Sequence, residues 1–412
     1  MTVPYSSPKP PAIGALSNVN IDNNTLTTGD VIKYNSANQL WENGVGGGGS
    51  AATVDITDTN TSGTYYPVFT DGAGTGKTLN VDASTTPISV NPNTGDLTVV
   101  DTLKIDQDKV AIGKLAGQTQ GLRSVAIGLN AGNTQSTDAV AIGNVAGQTN
   151  QGAQTVGIGL NAARDNQAIY SVAVGVSSGT TNQSQKSVAV GHLAANSGQS
   201  SESVSVGSRA GQTNQANRSV AIGNYAGQTT QNTTSVAIGY KAGNSSQRSG
   251  SVAIGNLSAQ TSQQSTSVAI GNFSAQTSQG SNAVAIGNQA GRTTQSNGGL
   301  AIGNLAGNRT QGRDSVAIGS SAGNNTQGDG AIAIGSSAGG FLQGRSSIAI
   351  GQNTASTSQP TRQIFINATG VAVNGVNASA CYITPIRGVA HGIGVGVMKY
   401  DPTTFELTYS TS

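Results

Sequence analysis

The sequence predicts an all-β protein whose bulk is a parallel β-solenoid, and three observations predict it. The phrase S-V-A-I-G, or a close variant, returns sixteen times between Val110 and Gly351. Its closing glycines are 15 residues apart for the first two steps and 16 apart for the other thirteen. Within the phrase, large β-branched residues flank a small one, which is the period-2 pattern of a strand. A period this short leaves no room for a helix pair or a propeller blade, and it suits one turn of a solenoid.

Composition narrows the class further. Of 412 residues only 9% are charged and 4% aromatic, and the 58 glycines are about twice the usual share. Such a polar, Gly-rich chain would ordinarily suggest disorder. The strict register of Val and Ile rejects that for residues 109–356, because a disordered segment has no reason to keep register. Net charge is +2 with no dense Lys/Arg block, so no footprint for nucleic acid or an anionic membrane is visible. One cysteine, Cys381, excludes an intramolecular disulfide framework, and it reads as a small buried apolar residue. The opening MTVPYSSPKPPAIG lacks a basic n-region and an apolar h-region. No apolar run approaches the ~18 residues that span a bilayer.

The elements follow in order. Residues 1–14 read as an N-terminal arm. Residues 15–50 read as an attachment hairpin ending in the Gly-rich hinge Gly46 to Gly49. Residues 51–108 form a β-rich neck, with strand runs broken by Asn-Pro-Asn and Thr-Gly turn signals. Residues 109–359 are the sixteen-coil shaft. Residues 360–412, denser in large apolar side chains such as Phe365, Ile366, Tyr382 and Ile383, are a C-terminal β cap. A solenoid end must be covered or it templates further stacking.

One coil can be read column by column, for example Val220-Ala221-Ile222-Gly223 and Val236-Ala237-Ile238-Gly239. Val and Ile must share one face of the strand and Ala the other. An exposed face has no need to be held to Ala, whereas a face pressed on another backbone does. The expectation is therefore a Val/Ile core inside each coil, with the Ala face packed against other chains. Gln recurs eight residues after the glycine, as at Gln231, Gln247 and Gln263. Stacked about 4.8 Å apart, these amides are expected to hydrogen-bond along the axis as a ladder at a turn. A ligand-binding Gln row is the alternative. Charges, including Arg123, Lys186, Arg218 and Arg345, gather in the loop before the strand. A column this thin looks marginal as a monomer, and the rod would be roughly 75 Å long.

S-V-A-I-G followed by x-x-A-G resembles the head repeat of YadA-type trimeric autotransporter adhesins, over about 250 residues. The resemblance implies a left-handed parallel β-roll, three chains side by side, and small-residue faces turned inward. This coil is two residues longer than the family's, and the signal peptide and C-terminal membrane barrel of such an adhesin are not seen. Residues 15–45, with K-Y-N…W-E-N, resemble a short module near the start of phage and large-virus fibre proteins. The string YITPIRG…VMKYDPTTFELTYSTS resembles the stretch upstream of an endosialidase-type intramolecular chaperone in viral fibres. That likeness implies a C-terminus processed by proteolysis at Ser412.

Several motif matches are decoys of the repeat. Asp71-Gly-Ala-Gly-Thr-Gly-Lys-Thr78 nearly spells a P-loop, but Asp71 occupies the first glycine position and an extended run follows. Gly175-Val-Ser-Ser-Gly179 matches G-x-S-x-G through the repeat's own columns. Gly157-Ile-Gly-Leu-Asn-Ala162 lies inside a coil with no strand–helix unit around it. His192 and His391 are the only histidines, so no metal-ligand cluster is expected and no cofactor is called for. The leading expectation is a structural trimeric fibre of a virion, attached to a virion or filament protein through its N-terminal part. Its shaft would meet a host-surface glycan or protein, at the virion surface or outside the cell, without enzyme activity or membrane insertion. A bacterial trimeric adhesin head comes second. A fibre-borne glycan depolymerase comes third; it needs paired carboxylates, and Asp138, Asp165, Glu202, Asp314 and Asp329 fall on separate coils.

Overall fold

Two strands per repeat, joined by left-handed corners, build the chain's main body. In the computed structural model the described residues are 108–386, 397–404 and 407–410, with seven short strands before residue 100. The chain divides into two compact units, Met1–Lys104 and Ile105–Ser412. No helix occurs among the described residues.

In the first unit, Val31–Asn35 and Leu40–Gly44 pair antiparallel, with Tyr34 opposite Trp41 and Lys33 opposite Glu42. Val19–Asn20 adds a parallel edge against Trp41 and Glu42. Val68–Thr70 pairs antiparallel with Leu79–Val81, and Ile88–Asn91 with Asp96–Val99. The P-loop lookalike, residues 71–78, lies outside the described residues, as do the arm 1–14, His391 and Ser412.

The second unit is an all-β parallel solenoid of about 17 turns. Its first ladder starts at Lys109–Ile112 and runs through every Val-Ala-Ile strand to Ile348–Ile350. Register is strict: Val236 pairs with Val252, Ala237 with Ala253 and Ile238 with Ile254. A second ladder stacks the Gln strands, with Gln231 on Gln247 and Gln247 on Gln263. The first ladder continues past the sixteenth glycine, through Ile364–Asn367 to Cys381–Thr384. Among the described residues its terminal rungs, Lys109–Ile112 and Cys381–Thr384, each pair with one neighbour.

The corner geometry explains why glycine closes all sixteen copies of the phrase. Gly239 sits at φ +124°, and a Cβ there would lie 2.5 Å from the carbonyl oxygen of Gly255 in the next coil. Any side chain would push the stack apart. Four residues on, Gly243 is at φ +50°, where an added Cβ meets Gln247 Oε1 and Ala237 Cβ. That contact is softer, and Ala259 and Ala275 occupy the equivalent place at φ 44°.

The inside of the coil is the reverse of the expectation. Ala221, Ala237 and Ala253 are fully buried between the two ladders, while Val220, Val236 and Ile238 point outward and are half-buried. The largest fully buried side chains are Phe365 and the glutamines of the column from Gln151 to Gln327. A Cβ built at Gly157, in the Ala column, would already lie 3.1 Å from Ala163 Cβ, so along the shaft Ala, Gly and Ser fill the interior beside the Gln amides and leave no room for a β-branched layer. Each conserved-type Ser before the strand closes a turn inside this core, as Ser235 Oγ donating to the Asn232 carbonyl at 2.6 Å. Where the Ala column breaks, at Ser205, the hydroxyl donates to Gln215 Oε1 at 2.6 Å.

At the C-terminal end the filling changes size. Phe365 takes the Ala place opposite Ala349 and is fully buried. Tyr382 takes the next place and stacks on it, ring centroids 4.7 Å apart and 9° from parallel. The aromatic pair plugs the narrow interior. Cys381, expected to be buried, is exposed, because it falls in the outward Val/Ile column beside Ile364.

Candidate functional site

Three surface features stand out, and each is a column drawn along the rod by the repeat itself. The first is the outward Val/Ile face. Val110, Val125, Val140 and their successors form one file, and Ile112, Ile127, Ile142 and theirs a second file beside it. Within a file each side chain packs on its neighbours above and below, which is why most are half-buried rather than open. Ile222, Ile286 and Ile334 remain 38%, 36% and 37% exposed. Soluble monomers seldom display an unbroken apolar stripe of this kind, and such stripes mark contact surfaces.

Of the residues singled out from the sequence, Val220, Ile222, Val236 and Ile238 lie on this face. Ala221, Ala237, Gln231, Gln247 and Gln263 are interior, and Gly223 and Gly239 are corners. The Gln column is an axial amide ladder as expected, but it is buried in the core rather than placed at a turn. Gln263 Nε2 donates to Gln279 Oε1 at 3.0 Å and to the Val252 carbonyl at 2.8 Å. Gln247 Nε2 donates to Gln263 Oε1 at 3.0 Å. Along the middle of the rod both amide ends are engaged, whereas the buried Oε1 atoms of Gln151, Gln327, Gln343 and Gln359 have no partner; the column is sealed from solvent and offers no surface to a ligand.

The charged loop before the strand is a second line, and it is solvent-facing as read from the sequence. Arg123 pairs with Asp138 at 2.6 Å, Arg218 with Glu202 at 2.9 Å, and Arg345 with Asp329 at 2.5 Å. Each pair joins successive coils. The hydrogen bond from Arg123 holds Asp138 below the usual carboxylate range, and that from Arg218 does the same to Glu202. Asp329 is lowered first by the Arg313 backbone N–H and then by Arg345. These carboxylates are ion-pair partners one coil apart.

The third feature was missed in the sequence. The second residue after each coil glycine is a left-handed corner, and Arg209, Tyr225 and Lys241 follow one another there at φ 57°, 59° and 52°. Arg209 Nη1 donates to Tyr225 Oη at 2.7 Å. Counting charge by segment would have found the setting: residues 203–313 hold seven Lys and Arg and no Asp or Glu.

His192 is exposed just after its coil glycine. Ser177 of the G-x-S-x-G match is itself a left-handed corner, and Ser178 is buried in the core and donates to the Gly175 carbonyl. Among the described residues no group of three or more His, Cys, Asp or Glu converges, and no helix is long and apolar enough to cross a membrane. No family model matches the chain, and neither curated proteins nor solved structures give a match.

Proposed function

We propose that the protein is a structural fibre: a rigid rod that associates with copies of itself, as a homotrimer, along the Val/Ile face. The single observation that carries the reading is that this apolar face runs the length of the solenoid while the interior is already filled by Ala, Ser and Gln. Eighteen rungs at about 4.8 Å make a stripe about 80 Å long, and at roughly 10 Å wide it offers close to the ~800 Å² a standard interface needs from each partner. The occupant is a second and third copy in parallel, because only an equally long, equally spaced file of Val and Ile matches the stripe rung for rung. Three-fold order and a left-handed coil rest on the resemblance to trimeric adhesin heads. A place on a virion, attached through the N-terminal part and presented to a host surface, rests on the resemblance of the flanks to viral fibres.

The native cysteine supplies the test. Cys381 is exposed in the same column as Ile364, so in a parallel assembly the copies' thiols meet at the seam. Sedimentation of the purified protein should give three chains, and mild oxidation should join two of them covalently. Asn214→Cys in a Cys381→Ser background, on the exposed polar side, should give no such cross-link. A protein that stays monomeric at micromolar concentration with an intact β spectrum would refute the association.

A further inference from the structure

We propose that the edge carrying Arg209, Tyr225, Tyr240 and Lys241 binds an acidic polysaccharide. The corner column places Arg209, Tyr225 and Lys241 on successive coils, about 4.8 Å apart, and Tyr240 stands next to Lys241 in the same coil. The Arg209 guanidinium lies 5.2 Å from the Tyr225 ring centroid. The Lys241 ammonium lies 5.8 Å from the Tyr225 ring and 5.2 Å from the Tyr240 ring. Both cations are thus held by aromatic rings and, among the described residues, carry no carboxylate partner, unlike Arg123, Arg218 and Arg345.

The surroundings leave the charge uncompensated. Residues 203–313 contain no acid at all, so the band is positive over seven coils in a chain whose net charge is only +2. Arg209 and Lys241 stand two rungs apart, about 10 Å, which is near one screening length at 0.1 M salt. Their repulsion is relieved by an anion lying between them.

The neighbours suit a sugar. A row of amides borders the corner: Gln228 Nε2 donates to Gln212 Oε1 at 2.8 Å, and Asn244 Nδ2 donates to Gln228 Oε1 and to the Tyr225 carbonyl, each at 3.0 Å. These groups can exchange bonds with hydroxyls. Tyr240 is 45% exposed and presents a ring to C–H faces. Three rungs beyond Tyr225, Phe273 repeats the pattern with the Arg292 guanidinium 5.6 Å from its centroid. Sites repeating along a straight edge fit a linear polymer better than a lone headgroup. Single-stranded nucleic acid would need successive free ring faces for stacking, and the Tyr225 ring is already engaged by two cations.

The test uses the full-length protein and four immobilised probes: a sulfated polysaccharide, a carboxylated one, a neutral one and a single-stranded DNA oligomer. The wild type should bind one or both acidic sugars, and which of them separates sulfate from carboxylate recognition. Arg209→Gln with Lys241→Gln should weaken that binding by about tenfold or more, the scale of one or two charged hydrogen bonds. Arg123→Gln with Arg345→Gln removes the same charge elsewhere and should change it less than about twofold. Tyr240→Ala should weaken binding while leaving the melting temperature unchanged. Equal loss in the control pair, equal or tighter binding of the DNA or of the neutral sugar, or no binding by the wild type would overturn the site. Sugar binding by a protein shown to be monomeric would keep this proposal and remove the association above.

Discussion

The strand Val236–Ile238 has two faces that invert the usual arrangement of a β-sheet. Its small residue, Ala237, is sealed inside the coil, and its large ones, Val236 and Ile238, look out. Ordinary sheets bury their β-branched face because burial of large apolar side chains drives folding. Here the inner layer is too thin to accept them. The difference teaches that this solenoid splits its strand between two settings: Ala, Gly and Gln hold the coil together from inside, and Val and Ile line its surface.

That division can be broken from the inside first. Gly239→Ala forces a side chain into the φ +124° corner and against the Gly255 carbonyl. It should cost about 3 kcal/mol or more, the upper range for strained backbone with a clash added, visible as a large drop in melting temperature. Gln263→Ala removes the bonds to Val252, Ser267 and Gln279, and leaves the buried Gln279 Oε1 without its donor. A loss of about 2–3 kcal/mol is expected from the unpaired groups and the cavity, and chemical denaturation would measure it. Ala237→Leu overfills the Ala layer and should cost about 1–3 kcal/mol, lowering the melting temperature even at concentrations where copies do not associate.

The outer face should respond in the opposite manner. Ile238→Ser with Ile254→Ser should change the stability of the isolated coil by no more than about 0.5 kcal/mol per site, as surface substitutions do. Association, read by sedimentation across a dilution series, should weaken markedly. If the double variant unfolds the coil and leaves association untouched, the assignment of faces is wrong.

The smallest effect belongs to the ion-paired loop. Asp138, Glu202 and Asp329 all have carboxyls lowered in the folded protein. A lowered folded-state value means the contribution is fully present above the unfolded carboxylate range and is lost as pH falls through the folded value. The melting temperature should therefore be level from neutral pH to about pH 5 and decline below it. Asp329→Asn should flatten part of that decline. These carboxylates lie in solvent-facing loops and are a third to nearly a half exposed, so the amplitude should be small.

Much of this was readable without a structure. The glycine spacing of 16, the alternation in Val-Ala-Ile and the recurring Gln were enough to place a strand in each turn and an amide ladder along the axis, but the ladder was expected at a turn and not on a second strand. The cap could be suspected from Phe365 and Tyr382, though not their roles as stacked replacements for Ala in two further rungs. Arg209, Tyr225 and Lys241 passed unnoticed because 16-residue spacing hides their adjacency within an otherwise variable column.

The amino-acid sequence by itself determined the solenoid, its register and the columns, because a period of 16 residues with an invariant glycine has one way to stack. It did not determine which face of the strand is inside. A column held to Ala is required equally by a thin interior and by a tight contact between chains, and Val and Ile suit either a core or an interface. Only the distance between the two ladders, set by the left-handed corners on each side of the Gln strand, decides between them. At that distance Ala fits, Gln lies flat across the gap, and Val and Ile are turned outward.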